Sequence, residues 1–333
     1  MLLRYVVRRM IQIVPLLIAV SVLSFIIIQL PPGDFLTQHV SNLRQQGVIL
    51  TETQIEALAR RYGLDRSMPE QYLFWMRNII FEGDMGISFM WNRPVSEILG
   101  ETIGYSIMLS FLTLIFVWGV GIPIGIYSAT RQYSPLDYIF SFLAFIGLAV
   151  PGFLVALFTI YQIFVHTGVV FTGFNAPQFL GEPWNMARIL NMLPRLGLAV
   201  FLIGMPQIAG LTRTTRAMLL DELQKQYVVT ARAKGLDEKK ILFKYPVRMA
   251  INPLISTIGW TIPALISGEI IISIVLSLPT TGPMLRRALE AQDMFLAGGF
   301  LLIVGTLTII GTLISDILLA VIDPRIRFGG GND

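Results

Sequence analysis

The stretch Tyr227-Val228-Val229-Thr230-Ala231-Arg232-Ala233-Lys234-Gly235-Leu236-Asp237-Glu238-Lys239-Lys240-Ile241 lies inside a basic segment, 213–248, that separates two long apolar runs. Helix-forming residues continue to Lys234, and Gly235 then stands where a helix C-terminus favours a left-handed residue. Asp237 can cap a second short helix through Ile241 and Phe243. The spacing predicts a helix, a tight turn and a second helix, with small residues Thr230, Ala231 and Ala233 on the first. Small side chains let another protein's backbone approach closely, so such an elbow suits docking into a partner's groove. A basic inner loop also satisfies the positive-inside rule with no partner at all. From the residues alone both readings stay open.

Outward from the elbow the chain is apolar. Of its 333 residues 54% are hydrophobic and only 14% charged, and the mean hydropathy is +0.68. Soluble domains average about 45–50% apolar and about 25% charged residues. Lipid is the expected solvent. There is no Cys, and His occurs only at His39 and His166. Disulfides are therefore excluded, and a Cys/His metal site is all but excluded.

Six runs are long enough to cross a hydrocarbon layer that needs about 20 residues: 10–30, 103–129, 136–165, 193–211, 253–276 and 294–321. The first follows Arg4, Arg8 and Arg9 and ends in Gln29-Leu30-Pro31-Pro32-Gly33 without a small-residue cleavage site, which reads as an uncleaved signal anchor. The fourth is interrupted by Pro194 and Pro206, which membrane helices tolerate where neighbours satisfy the freed backbone groups. With six spans, the basic tail before the first, the segment 213–248 and the tail carrying Arg325 and Arg327 share one side. That side is the cytoplasm, so both termini are expected inside. Arg286 and Arg287 fall on the other side.

The fold expected is an all-α membrane protein. It divides into a tail and first span (1–30), an extracytoplasmic insertion (31–101) and a core of five spans (102–333). In the insertion, Thr51 with Gln54, followed by Ile55, Leu58 and Ala59, reads as a capped amphipathic helix. A second set with helical spacing is Tyr72, Leu73, Met76, Ile79 and Ile80.

The string Thr230-Ala231-Arg232-Ala233-Lys234-Gly235-Leu236 resembles the EAA loop of ATP-binding-cassette importer permeases, in the form typical of the dipeptide, oligopeptide and nickel branch. Val229, Thr230 and Ala231 fall at the E-A-A positions, and Val229 departs from the charged consensus. Pro246 and Arg248 occupy the altered end of that pattern. Resemblance to the B-type subunit extends over nearly the whole chain. It takes in Tyr5 to Arg9, Tyr62-Gly63-Leu64-Asp65-Arg66, and Gly83-Asp84-Met85-Gly86-Ile87-Ser88 with Arg93-Pro94-Val95. Further on it takes in Gly121-Ile122-Pro123-Ile124-Gly125 and Asp323-Pro324-Arg325-Ile326-Arg327. Where that family usually shows W-P-G-[LI]-G, this chain has Leu278-Pro279-Thr280-Thr281-Gly282.

The resemblance implies half of an importer's pore. A second permease would complete it, two cytoplasmic ATPases would receive the elbows, and an external binding protein would deliver substrate. Thr230, Ala231, Ala233, Gly235, Leu236 and Asp237 would couple to the ATPases. No G-x-x-x-x-G-K-[ST] loop occurs here, so ATP and magnesium belong to those partners, and this chain carries neither a catalytic residue nor a metal site of its own. Oligopeptide or dipeptide ranks first as cargo, with oligosaccharides or nickel chelates next. Nothing points to nucleic acid; membrane lipid is the other partner.

Three features inside the runs invite a pathway role. Glu269 and Asp316 are ionisable at depth, where such groups usually face a bundle interior or a water-filled cavity. For both, a hydrogen-bonded structural role outweighs substrate contact. Pro151-Gly152 would kink the third run, either beside a gate or only for packing. A secondary transporter would be expected to show paired broken helices in an internal repeat, which the two halves do not display. A membrane enzyme would need a catalytic set, and no H-E-x-x-H occurs.

Overall fold

Lipid offers no hydrogen bonds, so a chain this apolar must satisfy its backbone internally, and a helix does so within one segment. In the computed structural model, which describes residues 2–29, 40, 51–61, 66–88, 90–179, 181–254, 270–291 and 293–322, the apolar runs are helices. They are α1 (Leu2–Gln29), α2 (Glu52–Arg61), α3 (Met68–Arg77), α4 (Val95–Thr130), α5 (Pro135–Ala149), α6 (Gly152–Thr167), α7 (Met186–Leu223), α8 (Gln226–Ala233), α9 (Glu238–Lys244), α10 (Ile270–Val275), α11 (Thr281–Glu290) and α12 (Met294–Ile322). Among the described residues the sole β feature is an isolated bridge between Ile87 and Pro94.

Four helices, α1, α4, α7 and α12, are long and apolar enough to cross a membrane, and α5 with α6 makes a fifth if the bent pair is one span. The expected run 253–276 lies largely outside the described residues, and Glu269 lies there too. The run 136–165 differs from expectation. Instead of one kinked span it is two helices bent by 99°. Proline disfavours the helical region for the residue before it, and Val150 is extended at φ −89°, ψ 123°. Each half is about 22–24 Å long, short of the roughly 30 Å of hydrocarbon. The run holding Pro194 and Pro206 is, conversely, an unbroken helix of 38 residues. It continues through Arg213 and Arg216 to Leu223, so the first turns of segment 213–248 are helix rather than loop.

The chain forms two compact units. One comprises Arg9–Tyr105 and Thr280–Ile309. Its core is Val95, Ile98, Leu99, Ala288, Leu296, Ala297 and Phe300. A second cluster packs Tyr72, Trp75, Met76 and Ile79 of the α3 region against Phe25 and Leu302, and the Tyr72 hydroxyl meets Ser21 Oγ at 2.7 Å. Leu73 and Ile80, grouped with the inward set by spacing, face outward instead. They do so because the inward face is the stripe Tyr72, Trp75, Met76 and Ile79, and each lies one residue past a member of it. The cap at Thr51 follows the sequence, Gln54 Oε1 accepting from Thr51 N–H at 3.0 Å. A second cap that spacing had not named has Glu70 Oε2 accepting from Ser67 N–H at 3.0 Å and from Ser67 Oγ at 2.8 Å. Those Ser67 bonds, side chain first, hold the Glu70 carboxyl below its ordinary value.

The motif from Gly83 to Ser88 acquires a reason in this unit. Gly83, at φ +67°, ends the π turn. Gly86, at φ +94°, lies where a Cβ would stand 2.9 Å from the Phe295 ring. Ser88 Oγ donates to Asp293 Oδ2 at 2.5 Å, and Met90 N–H donates to the same oxygen at 3.1 Å. Asp293 Oδ1 accepts from Leu296 N–H at 3.2 Å and so caps α12. This carboxylate is fully buried.

The other unit comprises Met1–Arg8, Ser106–Pro279 and Ile310–Asp333. Here α4 meets α7 through the pair Gly121 and Gly125, a small-xxx-small spacing that brings backbones close. A Cβ on Gly125 would stand 2.6 Å from Thr215 Cβ and 2.9 Å from the Thr212 carbonyl. Thr212 Oγ1 donates to the Gly121 carbonyl at 3.2 Å. Because backbone cannot retreat like a side chain, Gly125→Val is expected to destabilise the protein by about 2–3 kcal/mol. The measurement is the thermal unfolding midpoint in detergent, and an unchanged midpoint would mean that α4 and α7 are free to separate.

Candidate coupling elbow and bent helix pair

Beyond α7 the chain turns at Lys225 and again at Gly235. Lys225 is extended, at φ −69°, ψ 147°, and starts α8. The end of α8 is a Schellman turn: Gly235 N–H donates to the Arg232 carbonyl at 2.9 Å and Leu236 N–H to the Ala231 carbonyl at 3.4 Å. Gly235 has φ +70° with open space around its Cα. Asp237 then caps α9, its Oδ2 accepting from Lys240 N–H at 3.3 Å. Tyr245 breaks the helical path and Pro246 opens the helical residues 246–254, a position that needs no N–H.

Val228, Ala231 and Ile241 form the elbow's own core, with Tyr245 against it. Arg232 grips Glu238 through Nε at 2.8 Å and Nη2 at 3.4 Å, tying α8 to α9 on the surface. The Tyr227 hydroxyl donates to Glu222 Oε2. Burial first, then this carboxylate, push the Tyr227 phenol well above its ordinary value. Leu242 of α9 joins a further core with Ala129 at the end of α4, Leu219 of α7, and Val247 and Ala250. The elbow is thus packed onto the ends of two long helices.

All six residues singled out for coupling lie in this elbow, with different surroundings. Thr230 is exposed, its hydroxyl bonded to the Gln226 carbonyl at 2.8 Å. Ala233 and Gly235 are exposed, and Leu236 is partly so. Asp237 is exposed and occupied with its cap. Ala231 is turned inward, where its small size admits Ile241 rather than a partner. Outward-facing apolar side chains are Val229 and Phe243, and spacing did not single out Phe243 for docking. Its signal was present: Ile241 is the inward residue of α9, so Phe243, two positions on, points away.

Pro151 and Gly152 form the break of the bent pair. A Cβ on Gly152 would stand 2.9 Å from Ile272 Cδ1 of α10 and 3.6 Å from Pro206 Cγ of α7. The break is thus wedged between two other helices. His166 faces outward in the last turn of α6, near the Gly168 cap. Asp316 belongs to the α12 helical backbone.

Two ionic features escaped the sequence reading. Arg195 of α7 is buried and donates from Nη1 to the Thr172 carbonyl at 2.6 Å and from Nη2 to the Val170 carbonyl at 3.4 Å. Its guanidinium lies 4.6 Å from the Phe171 ring centroid, so it pins the turn after α6 onto α7. Asp137, at the start of α5, pairs with Arg216 of α7.

Known proteins resemble this chain. Residues 121–328 match the family model described as binding-protein-dependent transport system inner membrane component, and residues 2–110 match the model of the N-terminal part of such components. The oligopeptide transport system permease protein AppB of Bacillus subtilis is 33% identical over 325 residues, covering 97% of this chain and 99% of that protein. A putative peptide permease protein of Brucella suis is 33% identical over 326 residues, covering 98% of this chain and 99% of the relative. The dipeptide transport system permease protein DppB of Lactococcus lactis is 28% identical over 325 residues, 97% and 99% of the two chains. A solved structure titled as inward-facing conformations of the MetNI methionine ABC transporter superposes with a TM-score of 0.52 at 14% identity, over 68% of this chain and 96% of that one, which shows a common fold. The match is end to end in sequence and supported in fold: this chain belongs to the inner-membrane components of binding-protein-dependent transport systems, as a multi-pass permease subunit of an ABC importer.

Proposed function

We propose that this chain forms half of the translocation pathway for oligopeptides or dipeptides and is driven through its elbow by separate ATPases. The observation that carries the reading is the elbow itself: a two-helix projection with its own core, seated on the ends of α4 and α7 through Leu242, that still turns Val229, Leu236 and Phe243 outward. Apolar side chains in water beside Lys225, Lys234, Lys239, Lys240 and Lys244 are explained by a partner that covers them. Thr230, Ala233, Gly235 and Leu236 would face that partner, with Ala231 and Asp237 holding their shape. In this reading ATP and magnesium sit on the ATPases, two of which serve two permeases, and an extracytoplasmic binding protein supplies cargo. Peptide is the cargo favoured, because the related proteins above carry that word in their names.

Six spans, cytoplasmic termini, and the division into 1–30, 31–101 and 102–333 belong to the same proposal. Pro151 and Gly152, with Glu269, would line or gate the path. Purification of the tagged chain from native membranes in mild detergent is expected to bring down a second permease and ATP-binding subunits. Recovery of the chain alone, or only with itself, would overturn the reading. The absence of Cys gives a clean labelling test. A single cysteine at Glu52 is expected to react with an impermeant maleimide from outside intact cells, and one at Lys239 only after permeabilisation. The reverse pattern would sink the topology.

A further inference from the structure

We infer that the Asp137–Arg216 ion pair is the strut through which displacement of the elbow reaches the bent helix pair α5–α6, which makes both residues positioning residues for transport. The inference rests on the importer reading above. Asp137 is almost wholly buried, at 3% exposure. Arg216 donates to it twice, from Nε to Oδ1 at 3.3 Å and from Nη2 to Oδ2 at 3.2 Å. The turn around the carboxylate is shaped for it. Tyr133 takes φ +63°, a conformation unfavourable for a side chain of that size, and its N–H donates to Asp137 Oδ2 at 3.0 Å. Ser134 caps α5, accepting from Asp137 N–H at 3.3 Å.

A second tie lies further along. A Cβ on Gly147 would stand 3.3 Å from Ala209 Cβ and 3.5 Å from the Met205 carbonyl, so α5 and α7 touch backbone to backbone there. Residue 137 is opposite 216 and residue 147 opposite 209, so the two helices run antiparallel, fastened at both ends. Just past the second tie α5 stops, and the 99° break sits against Pro206 and Ile272. In the other direction, Leu219 lies one turn beyond Arg216 and shares a core with Leu242 of the elbow. A continuous line therefore runs from α9 through Leu219, Arg216 and Asp137 along α5 to the break.

The chemistry explains why an ion pair holds this position. Apolar contact between helices is non-directional and so supplies little hold on their register. A forked guanidinium–carboxylate pair fixes distance and register together. With it, α5 moves when the end of α7 moves. Without it, α7 can slide past α5 and leave the break at Pro151–Gly152 where it was.

The test uses the intact complex, with its ATPases and binding protein, reconstituted in vesicles, and reads cargo moved per ATP hydrolysed. Asp137→Asn and Arg216→Gln are each expected to assemble and to keep at least half of the wild-type hydrolysis. The transport-to-hydrolysis ratio should fall about tenfold, the span of a typical coupling energy. A wild-type ratio in either variant overturns the inference, as does a proportional fall of transport and hydrolysis, which a merely structural pair would produce. If neither variant assembles, the pair serves folding and the inference also falls. Absence of ATPases from the wild-type preparation would instead defeat the importer reading beneath it.

Discussion

Asp293→Ala is expected to loosen the unit formed by Arg9–Tyr105 and Thr280–Ile309 more than any other single change outside its apolar core. One buried carboxylate there satisfies three donors from two segments far apart in the chain: Ser88 Oγ and Met90 N–H in one, Leu296 N–H in the other. Hydrogen bonds to a charged group contribute about 1.5–3 kcal/mol each, and removing the acceptor leaves the buried Ser88 and Leu296 donors without a partner. The loss of a helix cap adds about 1 kcal/mol. A destabilisation of about 3 kcal/mol or more follows. Hydrogen exchange is the measurement, since amides of the 86–94 turn and the first turn of α12 should exchange together in the variant. Asp293→Asn, which keeps an acceptor of the same size, is expected to show a smaller effect. Wild-type protection of both segments in Asp293→Ala would mean that the turn is held by its backbone bonds to Arg93 and Gly86 alone.

Gly235→Trp is expected to abolish transport while the chain still inserts and folds. Two terms separate in this variant. The first is backbone: Gly235 sits at φ +70°, where a side chain costs about 1–2 kcal/mol. That term is small beside the elbow's own core and its seat on α7. The second is surface: nothing lies within 4 Å of where a Cβ would stand, so an indole there starts into open space, on the side a partner would occupy. Gly235→Ala carries the first term without the second and is the control. It should retain most ATPase association, whereas the Trp variant should lose it in detergent pull-down with insertion unchanged. Equal behaviour of the two would place the defect in the turn, and normal coupled transport by the Trp variant would remove the elbow from the proposal.

The elbow was legible in the sequence because its signals are local. A helix C-cap glycine, an N-cap aspartate two residues later and a proline at Pro246 each act within one turn. The same holds for the cap at Thr51. Features set by distant partners were not legible. Pro151 announced a break but not its angle, which depends on Ile272 and Pro206 arriving from other helices. Pro194 and Pro206 argued for interruption, yet α7 runs through both without a stop. The Ser88–Asp293 bond joins residues 205 positions apart, and Arg216–Asp137 joins residues 79 apart; no periodicity reports such pairs. Ala231 shows the opposite difficulty. Its size was read correctly and its direction was not, because a small residue admits close approach equally from inside and outside.

The length of α7 has a mechanical consequence. Thirty-eight residues make a rod of about 57 Å. Even at a steep tilt of about 40°, a rod crosses the hydrocarbon in roughly 39 Å. About 18 Å is left over, the length of the twelve residues from Thr212 to Leu223. In the topology proposed above, the elbow is mounted at the far end of an arm whose fulcrum would lie in the lipid. Rocking that arm by about 10° carries the elbow sideways by roughly 3 Å, a geometric gain that a flexible tether of the same sequence length would lose to bending.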